Sequence, residues 1–319
     1  MSVYLSIVLP VYNEAGNLVA LSAEIARMLD ALGKTAEVIL VDDGSADASY
    51  AVIKEIAAKD ARFRGLRFGR NFGQTAALSA GINASSGEFI ALLDADGQND
   101  PADIPRLLKK ADEGYDVVSG WRRDRKDAFF TRTLPSRAAN WLIGRVTGVK
   151  IHDYGCTLKI YRRDCLASFK IYGEMHRFLA AFAGGMGARI AELEVNHRPR
   201  VSGKSKVGLE RTAKVLLDLA TVKFMGQYLS KPIYLFGGWG LVCGFLSALL
   251  AAVTLYNKFH NHIYVKDQPL FIVAIFLGLV SVQMILLGLL SEIVTRIYYE
   301  MNDRPPYVVR EKTGTESHV

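Results

Sequence analysis

Cysteine is scarce in this chain. Its 319 residues hold three, Cys156, Cys165 and Cys243, scattered and without a C-x-x-C pair. That pattern excludes a disulfide framework and a cysteine-built zinc site. A secretory leader is not expected: Val3–Tyr12 is apolar but short, lacks a basic lead-in and contains Pro10. No G-x-G-x-x-G follows this first apolar stretch, which argues against a dinucleotide-binding turn. Gly203-Lys204-Ser205 matches the end of a phosphate-binding P-loop, yet Arg198 stands where the first glycine of that loop must be. No internal repeat or low-complexity tract is present.

Charge is missing from two long stretches. Ile233–Tyr256 spans 24 residues and Leu270–Ser291 spans 22, neither with a charged side chain. Each matches the roughly 20 residues that cross a bilayer core. They account for a chain that is 50% hydrophobic with mean hydropathy +0.15, slightly too apolar for an ordinary soluble enzyme. The remaining residues carry every charged side chain and have the composition of a soluble domain. The expected organisation is a catalytic domain over 1–231, a two-helix anchor over 232–291 and a tail over 292–319.

The net charge of +7 is unevenly spread. Residues 1–116 carry 11 basic and 17 acidic side chains, residues 117–231 carry 22 and 9, and residues 232–319 carry 6 of each. An acidic half beside a basic half suggests one cationic and one anionic ligand, or a basic side that meets a membrane. Lys214, Lys223 and Lys231 precede the first apolar stretch, and Arg296, Arg304 and Arg310 follow the second. The connecting loop has only Lys258 and Lys266. The positive-inside rule therefore places the large domain and the tail in the cytoplasm. Thr212–Met225 has an apolar face of Val215, Leu216, Leu219, Val222 and Phe224, flanked by Arg211, Lys214 and Lys223. A helix near 208–226 lying in the membrane interface is one reading, and an ordinary packed helix is another.

In the first half, short apolar runs alternate with helical patterns. Strands are expected at Leu5–Pro10, Glu37–Val41, Gly65–Phe68, Phe89–Leu93 and Asp116–Ser119. Helices are expected at Asn17–Leu32, Ala48–Lys59, Gln74–Ala84 and Asp103–Glu113. This alternation is the pattern of an α/β fold with a mostly parallel sheet. Such sheets bind ligands at the carboxyl ends of their strands. Three polar clusters fall at those ends: Pro10-Val11-Tyr12-Asn13-Glu14, Asp42-Asp43-Gly44-Ser45 and Asp94-Ala95-Asp96. Two carboxylates one residue apart can converge on a divalent cation such as Mg²⁺ or Mn²⁺, which prefers hard oxygen ligands.

The three clusters, in this order, resemble the nucleotide-sugar-binding half of family 2 glycosyltransferases, which have the Rossmann-like GT-A fold. The resemblance covers about residues 4–120. It implies that Pro10, Tyr12, Glu14 and Asp43 line the donor pocket, with Arg70-Asn71-Phe72-Gly73-Gln74 beside it. Asp94, Asp96 and Gln98 are implied as metal ligands, with Asp94 and Asp96 also meeting the donor. The second half resembles the polyprenyl-phosphate glycosyltransferases, the bacterial group similar to dolichol-phosphate mannose synthase. The matching stretches are Gly120-Trp121-Arg122, Ser136-Arg137, Asp153-Tyr154-Gly155-Cys156-Thr157-Leu158-Lys159 and His197-Arg198-Pro199-Arg200, leading into Gly203-Lys204-Ser205-Lys206. By that resemblance Asp153 joins Asp96 at the catalytic centre. Arg122, Arg137, Arg200, Ser205 and Lys206 are expected to bind the acceptor phosphate, for which arginine forks are suited.

The implied enzyme is an inverting, metal-dependent hexosyltransferase of a bacterial inner membrane. It moves a sugar from a nucleotide donor to polyprenyl (undecaprenyl) phosphate, with UDP-glucose the first expected donor and GDP-mannose the second. Expected partners are the two substrates, membrane lipids and further copies of the chain, as a homotetramer; no nucleic-acid partner is expected. Asp153 alternatively pairs with Arg162 or Lys159 as a structural carboxylate, and His176 either approaches the sugar or stays at the surface. A processive polysaccharide synthase shares the first half but needs a Q-x-x-R-W motif, which is absent. A membrane-anchored nucleotide-sugar binder without catalysis is the other competing class.

Overall fold

The computed structural model describes residues 3–123, 140–141, 143–145, 147–167, 175–199 and 232–301. Arg137, Arg200, Ser205 and Lys206, the interface helix expected near 208–226 and the tail beyond 301 lie outside the described residues. Contacts divide the chain into two units, Met1–Val222 and Lys223–Val319.

The first unit is built on a seven-stranded sheet. Its strands are β1 (Leu5–Val11), β2 (Ala36–Asp42), β3 (Phe63–Arg67), β4 (Phe89–Leu92), β5 (Val117–Trp121), β6 (Lys159–Arg162) and β7 (Ile190–Glu194). Their spatial order is β3-β2-β1-β4-β6-β5-β7. The pairings of these strands are parallel except those of β6, which runs antiparallel between β4 and β5. Parallel strands buried on both faces are continuous apolar runs, and β1 and β2 are almost fully buried along their length. The chain winds from β1 outward to β2 and β3, then returns to place β4 on the other side of β1. That reversal opens a crevice at the carboxyl ends of β1 and β4, where α/β sheets bind ligands.

The helices follow the expected periodicities. Helix α1 (Ala15–Leu32) buries Leu18, Leu21, Ile25, Met28 and Leu29 and stops at Gly33, whose φ of 62° is the left-handed cap. Each such side chain contributes about 1.5–3 kcal/mol of burial. Helix α2 (Ser49–Lys59) packs Ile53 into the same core, and α4 (Ile104–Asp112) adds Ile104, Leu107 and Leu108. The opposite face of the sheet carries α3 (Gln74–Ala84), whose Ala77 packs on Ile39 and Val41. A Cβ on Gly81 would lie 2.3 Å from Val8 Cγ1, so the small residues of α3 allow its close approach to β1. Two short helices, α5 (Arg163–Ala167) and α6 (Leu179–Gly185), complete the described part of this unit.

Some expected boundaries shift. Strand β3 starts at Phe63, two residues before the expected Gly65, because buried Phe63 pairs with Val38. Helix α4 is preceded by a 3₁₀ turn at Pro101–Asp103, capped by the Asp100 side chain. Strand β5 runs on to Trp121 because Gly120 and Trp121 pair with Leu193 and Glu194 of β7.

The second unit is a helical pair, α7 (Pro232–His260) and α8 (Pro269–Met301). Both are long and apolar enough to cross a membrane. Small residues let them meet: a Cβ on Gly240 would lie 2.9 Å from Ile285 Cγ1, and one on Gly244 would lie 2.8 Å from Ser281 Oγ. Ser281 Oγ donates to the Gly240 carbonyl at 2.7 Å and Ser247 Oγ to the Ala274 carbonyl at 2.7 Å. Large apolar side chains such as Phe245, Leu249, Ile272 and Phe276 are exposed.

Candidate active site

The crevice between β1 and β4 holds a cleft of about 290 Å³. It is lined by Pro10, Val11, Tyr12 and Glu14 after β1, Asp43 after β2, Asn71, Gly73 and Gln74 before and at the start of α3, and Asp94, Ala95 and Asp96 after β4. All six expected donor residues therefore meet in one cavity. Tyr12 stands 43% exposed, so it is available at the cleft rather than consumed in packing.

Local hydrogen bonds explain why these loops hold their shape. Asn13 has a φ of 57°, tolerated because its Oδ1 accepts from Ala46 N at 2.8 Å and its own N–H donates to Ser45 Oγ at 2.9 Å. Asp42 is fully buried; its Oδ1 accepts from Ser45 N at 3.1 Å and its Oδ2 pairs with Arg67 Nε at 3.1 Å. It thus closes the Asp42–Ser45 turn. Asp43 accepts from Phe72 N at 2.7 Å and Gly73 N at 2.9 Å, so it fixes the loop before α3 as well as lining the cleft. Gly44 sits at φ 67°, and a Cβ there would lie 2.4 Å from the Arg70 carbonyl carbon. Gly44→Ala is therefore expected to cost at least ~2 kcal/mol of stability and to weaken nucleotide binding. Thermal unfolding with and without nucleoside diphosphate checks both effects.

Asp94 is held from two sides. Gln74 Nε2 donates to its Oδ1 at 2.8 Å, and Thr157 Oγ1 donates to its Oδ2 at 2.6 Å. Burial, reinforced by the neighbouring charge of Asp96, pushes the Asp94 carboxyl up to about 6. Thr157, Arg122 and Lys159 pull in the opposite direction. Asp96 accepts from the Gln98 backbone N at 3.1 Å. Two crowded carboxylates at the foot of a polar cleft suit a hard divalent cation. Among the described residues no group of three His, Cys, Asp or Glu side chains converges on one point. A cation there would take its other ligands from the donor and water, which is how Mg²⁺-type ions bind substrate phosphates. The donor set therefore fits such an ion. Gln98 is not among the residues lining the cleft. Its carbonyl accepts from Arg198 N at 2.8 Å, which ties it to the segment after β7.

A second cluster lies where β5 ends. Arg122 Nε and its terminal nitrogen donate to the two oxygens of Asp153 at 2.7 and 3.0 Å, a fork with both partners largely buried. Burial opposes the Arg122 charge, but the Asp153 contact outweighs it and raises the arginine above its ordinary value. The carboxylate of Glu192 on β7 accepts from the backbone N–H of His152 at 2.8 Å and of Asp153 at 3.3 Å. Arg162 pairs instead with Glu88 at 3.1 Å, and Lys159 donates to backbone carbonyls. Asp153 thus pairs with Arg122, while Arg162 and Lys159 bond elsewhere. His176 Nδ1 lies 2.7 Å from Thr75 Oγ1, next to Gln74 of the cleft.

Arg198, of the His197-Arg198-Pro199-Arg200 stretch, is held by two carboxylates. Its guanidinium bridges Glu24 at 2.7 Å and Asp100 at 2.9 Å. Sequence reasoning missed the roles of Thr157 and Glu192, whereas Asn71 lines the cleft as expected for the stretch beside the donor pocket. Thr157 and Glu192 act on partners 63 and 39–40 residues away, and no local spacing signals that.

The sequence matches glycosyl transferase family 2 over residues 6–169. It is 42% identical over 314 residues to a protein of Rhizobium johnstonii named dodecaprenyl-phosphate galacturonate synthase, covering 97% of this chain and 93% of that protein. It is 36% identical over 310 residues to an undecaprenyl-phosphate 4-deoxy-4-formamido-L-arabinose transferase of Aeromonas hydrophila, covering 96% of this chain and 93% of that protein. Among solved structures, glucosyl-3-phosphoglycerate synthase from Mycobacterium tuberculosis with Mn²⁺ and UDP-glucose aligns with a TM-score of 0.54 at 18% identity, over 70% of this chain and 78% of that one. The likeness to that structure concerns the fold, an α/β sheet of GT-A type.

Proposed function

The chain belongs to glycosyl transferase family 2, and from that premise we propose that it moves a sugar from a nucleotide donor to the phosphate of a polyprenyl lipid. The observation that carries the reading is the cleft at the β1–β4 crevice, with the Asp94–Asp96 pair at its foot. Two curated relatives that align along nearly the whole chain are named for polyprenyl-phosphate products. The charge-free helices support an anchored enzyme that meets a lipid acceptor at the bilayer surface. The domain over 1–231 then faces the cytoplasm of a bacterium, 232–291 crosses the inner membrane and 292–319 returns to the cytoplasmic side as a tail. An interface helix near 208–226 and a homo-oligomer belong to the same proposal.

In this reading Pro10, Tyr12, Glu14 and Asp43 bind the nucleoside, and Asp94 and Asp96 hold a divalent ion. Bound Mg²⁺ or Mn²⁺ would supply positive charge to the donor diphosphate. An acceptor phosphate oxygen attacks the anomeric carbon, the bond to the nucleoside diphosphate breaks, and configuration inverts. The nucleophile is already anionic, so the protein's main task is to bring two anions together. Arg122, with Arg137, Arg200, Ser205 and Lys206 from the basic half, receives the lipid phosphate. Asp153 orients the Arg122 fork and stands at the catalytic centre with Asp96.

The donor is a UDP-sugar. The relative named for galacturonate moves UDP-galacturonate ahead of UDP-glucose, with the formamido-arabinose donor next and GDP-mannose last. Membranes carrying the protein, given each radiolabelled donor with undecaprenyl phosphate and Mn²⁺, test this order. A charged, solvent-extractable glycolipid from one UDP-sugar supports the reading. Sugar retained without transfer indicates a binder, and a long polymer indicates a processive synthase.

A further inference from the structure

Lys159 is a buried cation that the reaction above does not use. It lies on β6, 3% exposed, in register with Leu92 of β4 and Ser119 of β5. Its neighbours are therefore the strand that leads to Asp94 and the strand that leads to Arg122. A buried ammonium needs partners, and burial lowers the pKa of Lys159 from the ordinary lysine value. Its Nζ donates to the Tyr154 carbonyl at 3.1 Å and to the Cys156 carbonyl. Both carbonyls belong to the connection that leads from Asp153 into β6.

That connection carries a functional side chain near each end. At its start Asp153 forks with Arg122 at 2.7 and 3.0 Å. Near its end Thr157 donates to Asp94 at 2.6 Å. The lysine grips the backbone between them. We propose that Lys159 is a positioning residue whose ammonium fixes the 153–158 connection, so that Asp153 meets Arg122 on the acceptor side while Thr157 meets Asp94 on the donor side. The consequence for rate rests on the sugar transfer proposed above. A displacement near 1 Å in such a connection is enough to cost about 10²-fold in turnover.

The nucleoside part of the cleft lies elsewhere, on Pro10, Tyr12 and Asp43, and Gln74 still holds Asp94 when the connection loosens. Losing the lysine therefore affects turnover and nucleotide binding unequally. Lys159→Met keeps the length and apolar stem but frees both carbonyls. The full-length protein in detergent is titrated with UDP and Mn²⁺ by calorimetry, which gives affinity and the number of folded sites. The expected result is a kcat per nucleotide site lower by about 10²-fold, with UDP affinity and donor KM within about threefold of wild type.

If Lys159→Met binds no nucleotide, Lys159→Gln replaces it, because its amide still donates to a carbonyl. The same split is then expected at about 10-fold. An unchanged kcat per site overturns the proposal. A parallel fall of kcat and UDP affinity overturns it too, as does loss of nucleotide binding in both variants, since the lysine then holds the fold rather than the site. Wild-type protein that makes no lipid-linked sugar overturns the transfer reading instead. Donor hydrolysis is then the rate compared, and the same split decides the role of Lys159.

Discussion

Asp96→Asn is expected to lower sugar transfer by about 10²–10³-fold while leaving the free protein folded and no less stable. The two parts of this expectation have separate causes. Asp96 accepts a hydrogen bond from the Gln98 backbone at 3.1 Å, and an asparagine oxygen accepts it equally well. The substitution also removes a negative charge that raises the pKa of buried Asp94. The resting protein therefore loses a repulsion and keeps its turn. The donor complex loses much more. Its diphosphate must be neutralised as the leaving group gathers charge, and one of the two carboxylates that would hold the cation is gone. Chelation of divalent ions from wild-type protein should reproduce the effect, and added Mn²⁺ should reverse it. The measurements are initial rates of lipid-linked sugar formation and unfolding temperature. A variant that transfers at the wild-type rate would refute the assignment of Asp96.

The second large effect is expected at Asp153. Asp153→Asn leaves the Arg122 fork facing one acceptor and one amide donor, so one of its two short contacts is lost. Turnover should fall about 10²–10³-fold, because an arginine that shifts no longer receives the acceptor phosphate in line with the sugar. Donor affinity should survive, since neither Arg122 nor Asp153 is among the residues that line the cleft. Asp153→Ala is harsher. It strands a buried guanidinium and should cost about 3–5 kcal/mol of stability. Calorimetric donor binding together with kcat distinguishes the two variants. Turnover unchanged in Asp153→Asn removes the residue from the catalytic centre.

The donor half of the site was legible in the sequence for a simple reason. In a parallel sheet the ligand meets strand ends, and each strand end can be found where an apolar run stops. Asp43 and Asp94 are one or two residues beyond such stops, and the structure places both in one cleft. Helix α3 was legible to the residue because Gly73 and Ser85 bound a run of small helix-compatible residues. The antiparallel β6 was not. Its position between β4 and β5 depends on pairings such as Phe89 with Arg162, 73 residues apart, which no local pattern encodes. The Arg122–Asp153 fork was missed for the same reason. Both residues were visible as charged groups in matching motifs, but their partnership is set by the β5–β6 pairing, and Arg162 and Lys159 looked equally close along the chain.

The central claim is that a polyprenyl phosphate, and not water or a growing glycan, accepts the sugar. It is tested most directly by stoichiometry. Purified protein is mixed with a UDP-sugar, Mn²⁺ and undecaprenyl phosphate, and released UDP and lipid-linked sugar are counted in the same sample. The account predicts one acid-labile lipid-phosphate sugar for each UDP, and almost no UDP release when the lipid phosphate is omitted. UDP release that does not depend on the lipid phosphate would contradict it.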